Sequence, residues 1–137
     1  MTVKPAVRVL DSYSIIAYLE KEKGAETMID IFRVARDSGR TILLSVVNWG
    51  EVYYIILREA GRERADAVEH LISTLPIQII PADLELAKQA AEFKSSKRMS
   101  YADCFAAALA KLRKAELVTG DPDFKQVERE VKIHWIR

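Results

Sequence analysis

Short, nearly uniformly apolar runs alternate along this chain with longer stretches of helical periodicity, and that alternation restricts the fold more than any other feature. Ala6 to Leu10 (AVRVL), Thr41 to Ser45 (TILLS), Ile77 to Ile80, Leu117 to Thr119 and Val131 to Ile136 have the length and β-branched content of strands. Helices are expected over Tyr13 to Lys21, Ala25 to Ser38, Val46 to Ala60, Arg62 to Leu75, Leu84 to Lys97 and Tyr101 to Ala115. Gly24, Gly39 and Gly61 mark breaks between them, and Asp121–Pro122–Asp123 reads as a turn. Strands that are apolar on both faces leave no side for water. The expectation is therefore an α/β domain, a central, mainly parallel sheet of about five strands with helices on both faces.

Nothing in the 137 residues suggests a linker, a repeat or a low-complexity tract, so the whole chain, 1–137, reads as one domain. With half its residues hydrophobic and 30% charged, the composition excludes a disordered or collagen-like chain. The lone cysteine, Cys104, excludes an internal disulfide and a multi-cysteine zinc site. No apolar run approaches the ~20 residues that span a bilayer. The start, MTVKPAVRVLD, lacks a signal-peptide core and reads as a strand beginning almost at once. A soluble, cytoplasmic domain is the expectation. The net charge of +1 does not decide for or against a nucleic-acid partner, because local clusters govern such binding.

In open α/β sheets, ligands bind outside the carboxyl ends of the strands. The residues at those positions are Asp11, Ser45 leading into Asn48 and Glu51, Asp83, and Gly120–Asp121. Glu51 lies on one helical face with Val47 and Ile55, an apolar stripe in which a carboxylate is costly unless something meets it. The ordinary alternative is a Glu at the edge of the stripe, reaching water near the helix start, where the dipole favours it. Asp103 aligns with Ala107 and Ala110 in SYADCFAAALAKLRK, and it also fits a capping box with Ser100. Asp11, Asp121 and Asp123 each suit a turn. The separate explanations fail on the combination: four segments deliver carboxylates to one pole, and no basic residue within these motifs neutralises them. Such a cluster raises its members' pKa values or demands a cation, and all-oxygen ligation favours Mg²⁺ or Mn²⁺ over zinc.

Three segments in order, LDSYSIIAYLEKEKGAE, SVVNWGEVYYIILR and SYADCFAAALAKLRKAELVTGDPDF, resemble the PIN-domain ribonucleases, specifically the VapC-type toxins of VapBC toxin–antitoxin pairs. The resemblance covers nearly the whole chain and implies a PIN-like α/β/α sandwich. It implies an acidic pocket of Asp11, Glu51, Asp103 and Asp121, with Ser12 and Thr119 at positions where the family often has a hydroxyl near the metal. Asp123 supplements or replaces Asp121, and the motif does not settle which. Tyr13 departs from the family pattern, which more often has a small or polar residue there; it narrows the pocket or stacks on a base.

The activity implied is Mg²⁺-dependent hydrolysis of RNA, with Mn²⁺ as a substitute, by one or two ions held on the carboxylates. Asp11, Asp103 and Asp121 are the expected direct ligands; Glu51 acts through water or on a second ion. No protein nucleophile is required: His70, His134 and Cys104 read as structural. Phosphate contacts are expected from Lys94, Lys97 and Arg98 ahead of the Asp103 helix and from Arg58, Arg62 and Arg64 after the Glu51 helix, although such clusters are commonly plain solvated faces. Tyr13, Trp49 and Tyr101 are candidate stacking aromatics. The implied partners are RNA, a VapB-type antitoxin and a second copy of the chain. Ile15, Ile16, Tyr18, Leu19, Phe32 and Tyr53 are the apolar residues expected to exceed what one core buries. The alternative function is a non-catalytic RNA-binding or interaction module on the same fold. A phosphoacceptor signalling domain is rejected, because Asp83 is displaced from the third strand into the next helix.

Overall fold

A strand paired along both edges sits at the centre of a sheet, and here that strand is the first. The computed structural model describes residues 6–137, so the part of the opening MTVKPAVRVLD that precedes Ala6 lies outside the described residues. In chain order the elements are β1 (Arg8–Leu10), α1 (Ser12–Leu19), α2 (Ala25–Ser38), β2 (Ile42–Ser45), α3 (Val46–Ala60) and α4 (Arg62–Thr74). They continue with β3 (Ile77–Ile80), α5 (Leu84–Ser96), α6 (Tyr101–Arg113), β4 (Glu116–Thr119), a 3-10 helix (Pro122–Val127) and β5 (Ile133–Trp135). The five strands form one sheet in the order β3-β2-β1-β4-β5, and every pairing is parallel.

The alternation of side chains along each strand divides the interior in two. Val9, Leu43 and Leu117 point into a layer closed by α5 and α6, whereas Leu10, Leu44 and Val118 point into one closed by α1 to α4. Both faces are covered, which is why the strands read as continuous apolar runs; the fold is the expected α/β/α sandwich. The alanines of α6 at 106, 107, 108 and 110 are buried, so this helix is enclosed over most of its circumference. Lys114 then turns left-handed (φ 50°) and ends it two residues earlier than expected.

Two expectations are revised. The segment read as a turn at Asp121–Pro122–Asp123 is the cap and opening of the 3-10 helix, with proline in its first turn. Ile15 and Phe32, expected as surplus surface, belong to the core at 1% and 4% exposure. The exposed apolar side chains nearby are Ile29 and Leu71.

Candidate active site

From β1 the chain steps outward to β2 and β3, then returns across the sheet to β4 and β5. The β1–β4 boundary is thus where strand order reverses, the position at which such sheets open a crevice. Asp11 follows β1 and Asp121 follows β4, so two of the expected carboxylates flank that point.

Asp11 is fully buried and does two jobs. One carboxylate oxygen caps α1 by accepting the Ser14 amide (2.8 Å), and Ser14 Oγ reciprocates on the Asp11 amide (3.2 Å). The other oxygen accepts the buried Thr119 hydroxyl. Thr119 Oγ1 in turn accepts the Asp121 amide (3.1 Å), so a hydrogen-bonded chain runs from Asp11 to Asp121. Asp121 Oδ1 accepts the Asp123 amide (2.9 Å), which fixes the next carboxylate on the 3-10 helix.

The other wall comes from helices. Ser100 caps α6 through the Asp103 amide (3.1 Å), and this first turn sets Asp103 half-buried toward the crevice. Glu51 on α3 accepts the Ser12 hydroxyl, which also approaches the Asn48 carbonyl at 3.4 Å. A cleft of about 280 Å³ lies between these elements, bordered by Ser12, Tyr13, Glu51, Asp103 and Asp121. Ile16 and Ile55 supply its apolar wall, and Glu22 adds a carboxylate at its edge.

Asp103, Asp121 and Asp123 each offer an oxygen within 4.8 Å of the others, the one such group of three potential ligands among the described residues. Asp11 lies beneath with both oxygens already hydrogen-bonded. Burial, reinforced by the charges of Asp11, Asp121 and Glu51, raises the Asp103 carboxyl to a pKa of about 7. Burial also raises Asp11 to about 6, against the lowering effect of its Thr119 and Ser14 hydrogen bonds. All-oxygen donors that repel one another across a few ångströms fit a hard divalent cation, which would relieve that repulsion.

The expected rim residues divide. Arg98 is tied to the 3-10 helix through Gln126, which accepts its amide (2.8 Å) and donates to both its carbonyl (3.2 Å) and that of Asp123 (3.1 Å). Lys97 is the C-cap of α5 beside it. Lys94 instead braces this connection by donating to the Met99 carbonyl (2.8 Å). Arg58 lies over the exposed Tyr54 ring at 5.4 Å and does not border the cleft. Trp49 stacks on Tyr53 (5.4 Å between centroids), Tyr101 packs edge-on against Phe105, and neither borders the cleft. Asp83, at the same pole, spends its carboxylate on the Leu86 amide (2.9 Å) as a helix cap.

Two residues emerge to which the sequence analysis gave no role. Asn48 is fully buried and donates from Nδ2 to the Ala102 carbonyl (3.1 Å), tying α3 to the first turn of α6. Its spacing three residues before Glu51 was the available signal. Glu22 had none, since only the chain reversal between α1 and α2 brings it to the cleft.

A parallel sheet in this order, sandwiched between helices and carrying an acidic cleft at the strand-order reversal, defines an α/β/α domain with a candidate metal centre. The sequence matches the family model described as PIN domain over residues 8–130, and the chain belongs to that family. Among curated proteins, none matches it. The fold is similar to that of VapBC2 from Rickettsia felis bound to a promoter DNA fragment (TM-score 0.77, 15% identity, covering 93% of this chain and 97% of that one). It is also similar to DNA-bound VapBC from Salmonella typhimurium (0.75, 20% identity, 97% and 100%). A third is the Sarcin-Ricin loop cleaving toxin VapC20 of Mycobacterium tuberculosis (0.69, 15% identity, 88% and 94%). At these identities the likeness is one of fold.

Proposed function

We propose that this protein is a metal-dependent endoribonuclease that hydrolyses RNA phosphodiester bonds as the toxin of a toxin–antitoxin pair. The observation that carries the reading is the convergence of Asp103, Asp121 and Asp123 within 4.8 Å in a PIN domain, with Glu51 and buried Asp11 alongside. Asp103, Asp121 and Asp123 would hold Mg²⁺ or Mn²⁺. The ion, when bound, supplies activation of water and neutralisation of charge at the phosphate. Asp11 acts through Thr119, holding the Asp121 backbone in place. Ser12 orients Glu51, and Asn48 keeps α3 against α6, so that Glu51 and Asp103 face one cleft. Cys104 is fully buried and neither histidine borders the cleft, so neither a thiol nor an imidazole stands there as a competing nucleophile.

The antitoxin reading is supported by a groove of about 830 Å³ beside the cleft, walled by Tyr18, Leu19, Ile29 and Leu71. Glu22 borders both the groove and the cleft, so a segment lying in one reaches the other. The protein is expected to pair with itself, and light scattering that reports a monomer at micromolar concentration removes that part. Among the described residues, no helix is long and apolar enough to cross a membrane.

The test is cleavage of single-stranded or loop RNA with Mg²⁺, Mn²⁺, Ca²⁺ or chelator. Mg²⁺ holds six oxygens tightly at ~2.1 Å, whereas Ca²⁺ bonds are longer and more variable. Cutting is therefore expected with Mn²⁺ or Mg²⁺, weakly with Ca²⁺, and not in chelator, leaving 5′-phosphate and 3′-hydroxyl ends. Cutting that persists in chelator with 2′,3′-cyclic phosphate ends refutes the mechanism.

A further inference from the structure

An acidic cleft repels the phosphates it must receive, so a cation has to stand at its mouth. Tyr13 and Arg137 meet there. Tyr13 borders the cleft, and its hydroxyl accepts a hydrogen bond from Arg137 Nη1 (2.9 Å) while the guanidinium carbon stands 5.8 Å from the ring centroid. Gly120, between Thr119 and Asp121, makes this meeting feasible. A Cβ there would lie 3.0 Å from Tyr13 Cζ and 3.1 Å from Arg137 Cγ, and closer still to Tyr13 Cε1. A side chain at position 120 would have to displace the ring or the arginine stem, so glycine lets both cross the end of β4 as they stand.

Arg137 is anchored. The preceding Ile136 is buried, donates its amide to the Thr119 carbonyl (3.1 Å) and packs so closely on Gly24 that a Cβ there would also clash. The guanidinium itself is exposed, and among the described residues no carboxylate is within ion-pair distance of it. A guanidinium presents five N–H donors in a planar fork that matches phosphate oxygens, and the Tyr13 hydroxyl takes one of them.

Resting on the nuclease reading above, we infer that Arg137 and Tyr13 form a rim subsite for the nucleotide adjoining the one that is cut. The guanidinium takes the backbone phosphate, and the tyrosine ring takes the face of the base. Tyr13 becomes the aromatic half of this subsite. Gly120 becomes the residue that admits it.

The test is fluorescence anisotropy with a dye-labelled 12-nucleotide single-stranded RNA and Ca²⁺ present, over a range of salt, together with melting curves. Arg137→Gln is expected to weaken binding about fivefold and to reduce the slope of log Kd against log salt by about 0.7, one released counterion on a single strand. Arg137→Lys keeps most of that slope. Tyr13→Ala weakens binding about tenfold with the slope unchanged, and Tyr13→Phe binds nearly as wild type. Unchanged affinity and slope in Arg137→Gln overturn the inference. So does a loss reproduced by Tyr13→Phe with a lower melting temperature, because Arg137 is then only a brace for the ring. Wild-type protein that binds no RNA overturns it too. Wild type that binds with this salt dependence yet cuts nothing with Mn²⁺ sinks the nuclease reading and leaves Arg137 and Tyr13 as an RNA-binding site without the cut.

Discussion

At the amino end of the sheet, Glu116 is met by Lys132 at 3.1 Å, Arg8 at 3.3 Å and His134 Nδ1 at 3.5 Å. At the carboxyl end, Asp11, Asp103, Asp121 and Glu51 form no ion pair among the described residues. Burial pushes the Glu116 carboxyl up, and hydrogen bonds from Lys132 and Arg8 outweigh it, so the group stays below its ordinary value. Burial and neighbouring anions push Asp103 the other way, to about 7. The same kind of residue in the same domain is structural where the fold supplies counterions. Where it supplies none, the fold holds unfavourable charge in a place open to a ligand.

Substitution should separate the two ends most sharply. Asp103→Asn is expected to reduce RNA cleavage by about a hundredfold or more, while the metal-free melting temperature holds level or rises. Glu116→Gln should keep cleavage within about twofold of wild type and lower the melting temperature by about 4 °C, as charge-assisted hydrogen bonds are lost. A variant pair that behaves the other way round would exchange the roles of the two poles.

The pH dependence of the metal-free fold sharpens the contrast. Asp11 and Asp103 have folded-state pKa values of about 6 and 7, above the ordinary carboxylate value of 3.8. Between those limits the folded protein binds more protons than the unfolded chain, so stability falls as pH rises through the interval. The melting temperature in chelator is expected to be about 5 °C higher near pH 5 than near pH 8, and Asp103→Asn should flatten that slope. Glu116 has the opposite sign, because its lowered pKa gives stability that disappears only in stronger acid. A metal-free protein that grows more stable between pH 5 and pH 8 contradicts the account of the cleft. With metal present, cleavage should fall below neutral pH as the carboxylates take up protons in place of the ion.

A smaller effect divides the carboxyl pole itself. Asp11 and Asp83 both cap helices there, but only Asp11 has a second oxygen bonded toward the cleft. Asp83→Ala should cost about 1 kcal/mol in a melting or denaturant experiment and leave cleavage unchanged. Asp11→Ala should pay a similar cap penalty and lose activity as well. Equal activity in both variants would reduce Asp11 to a cap.

Local pattern determined much of this protein. The helices Ala25–Ser38 and Val46–Ala60 and the strand Ile77–Ile80 have the expected bounds, because period and punctuation are carried by neighbouring residues. Asp11 and Asp121 follow their strands for the same reason, and Glu51 and Asp103 fall on helical faces that lead to the cleft. Tertiary structure alone decided which of these groups touch. The β3-β2-β1-β4-β5 order set Thr119 between Asp11 and Asp121, and the 3-10 helix turned Asp123 toward Asp103. The same long-range packing buried Ile15 and Phe32, brought Glu22 to the cleft edge, and laid Arg137 across Tyr13 at a separation of 124 residues. Periodicity reports how a segment faces its own sheet or helix layer. Proximity between distant segments depends on the order in which strands assemble, and no local run of residues encodes that order.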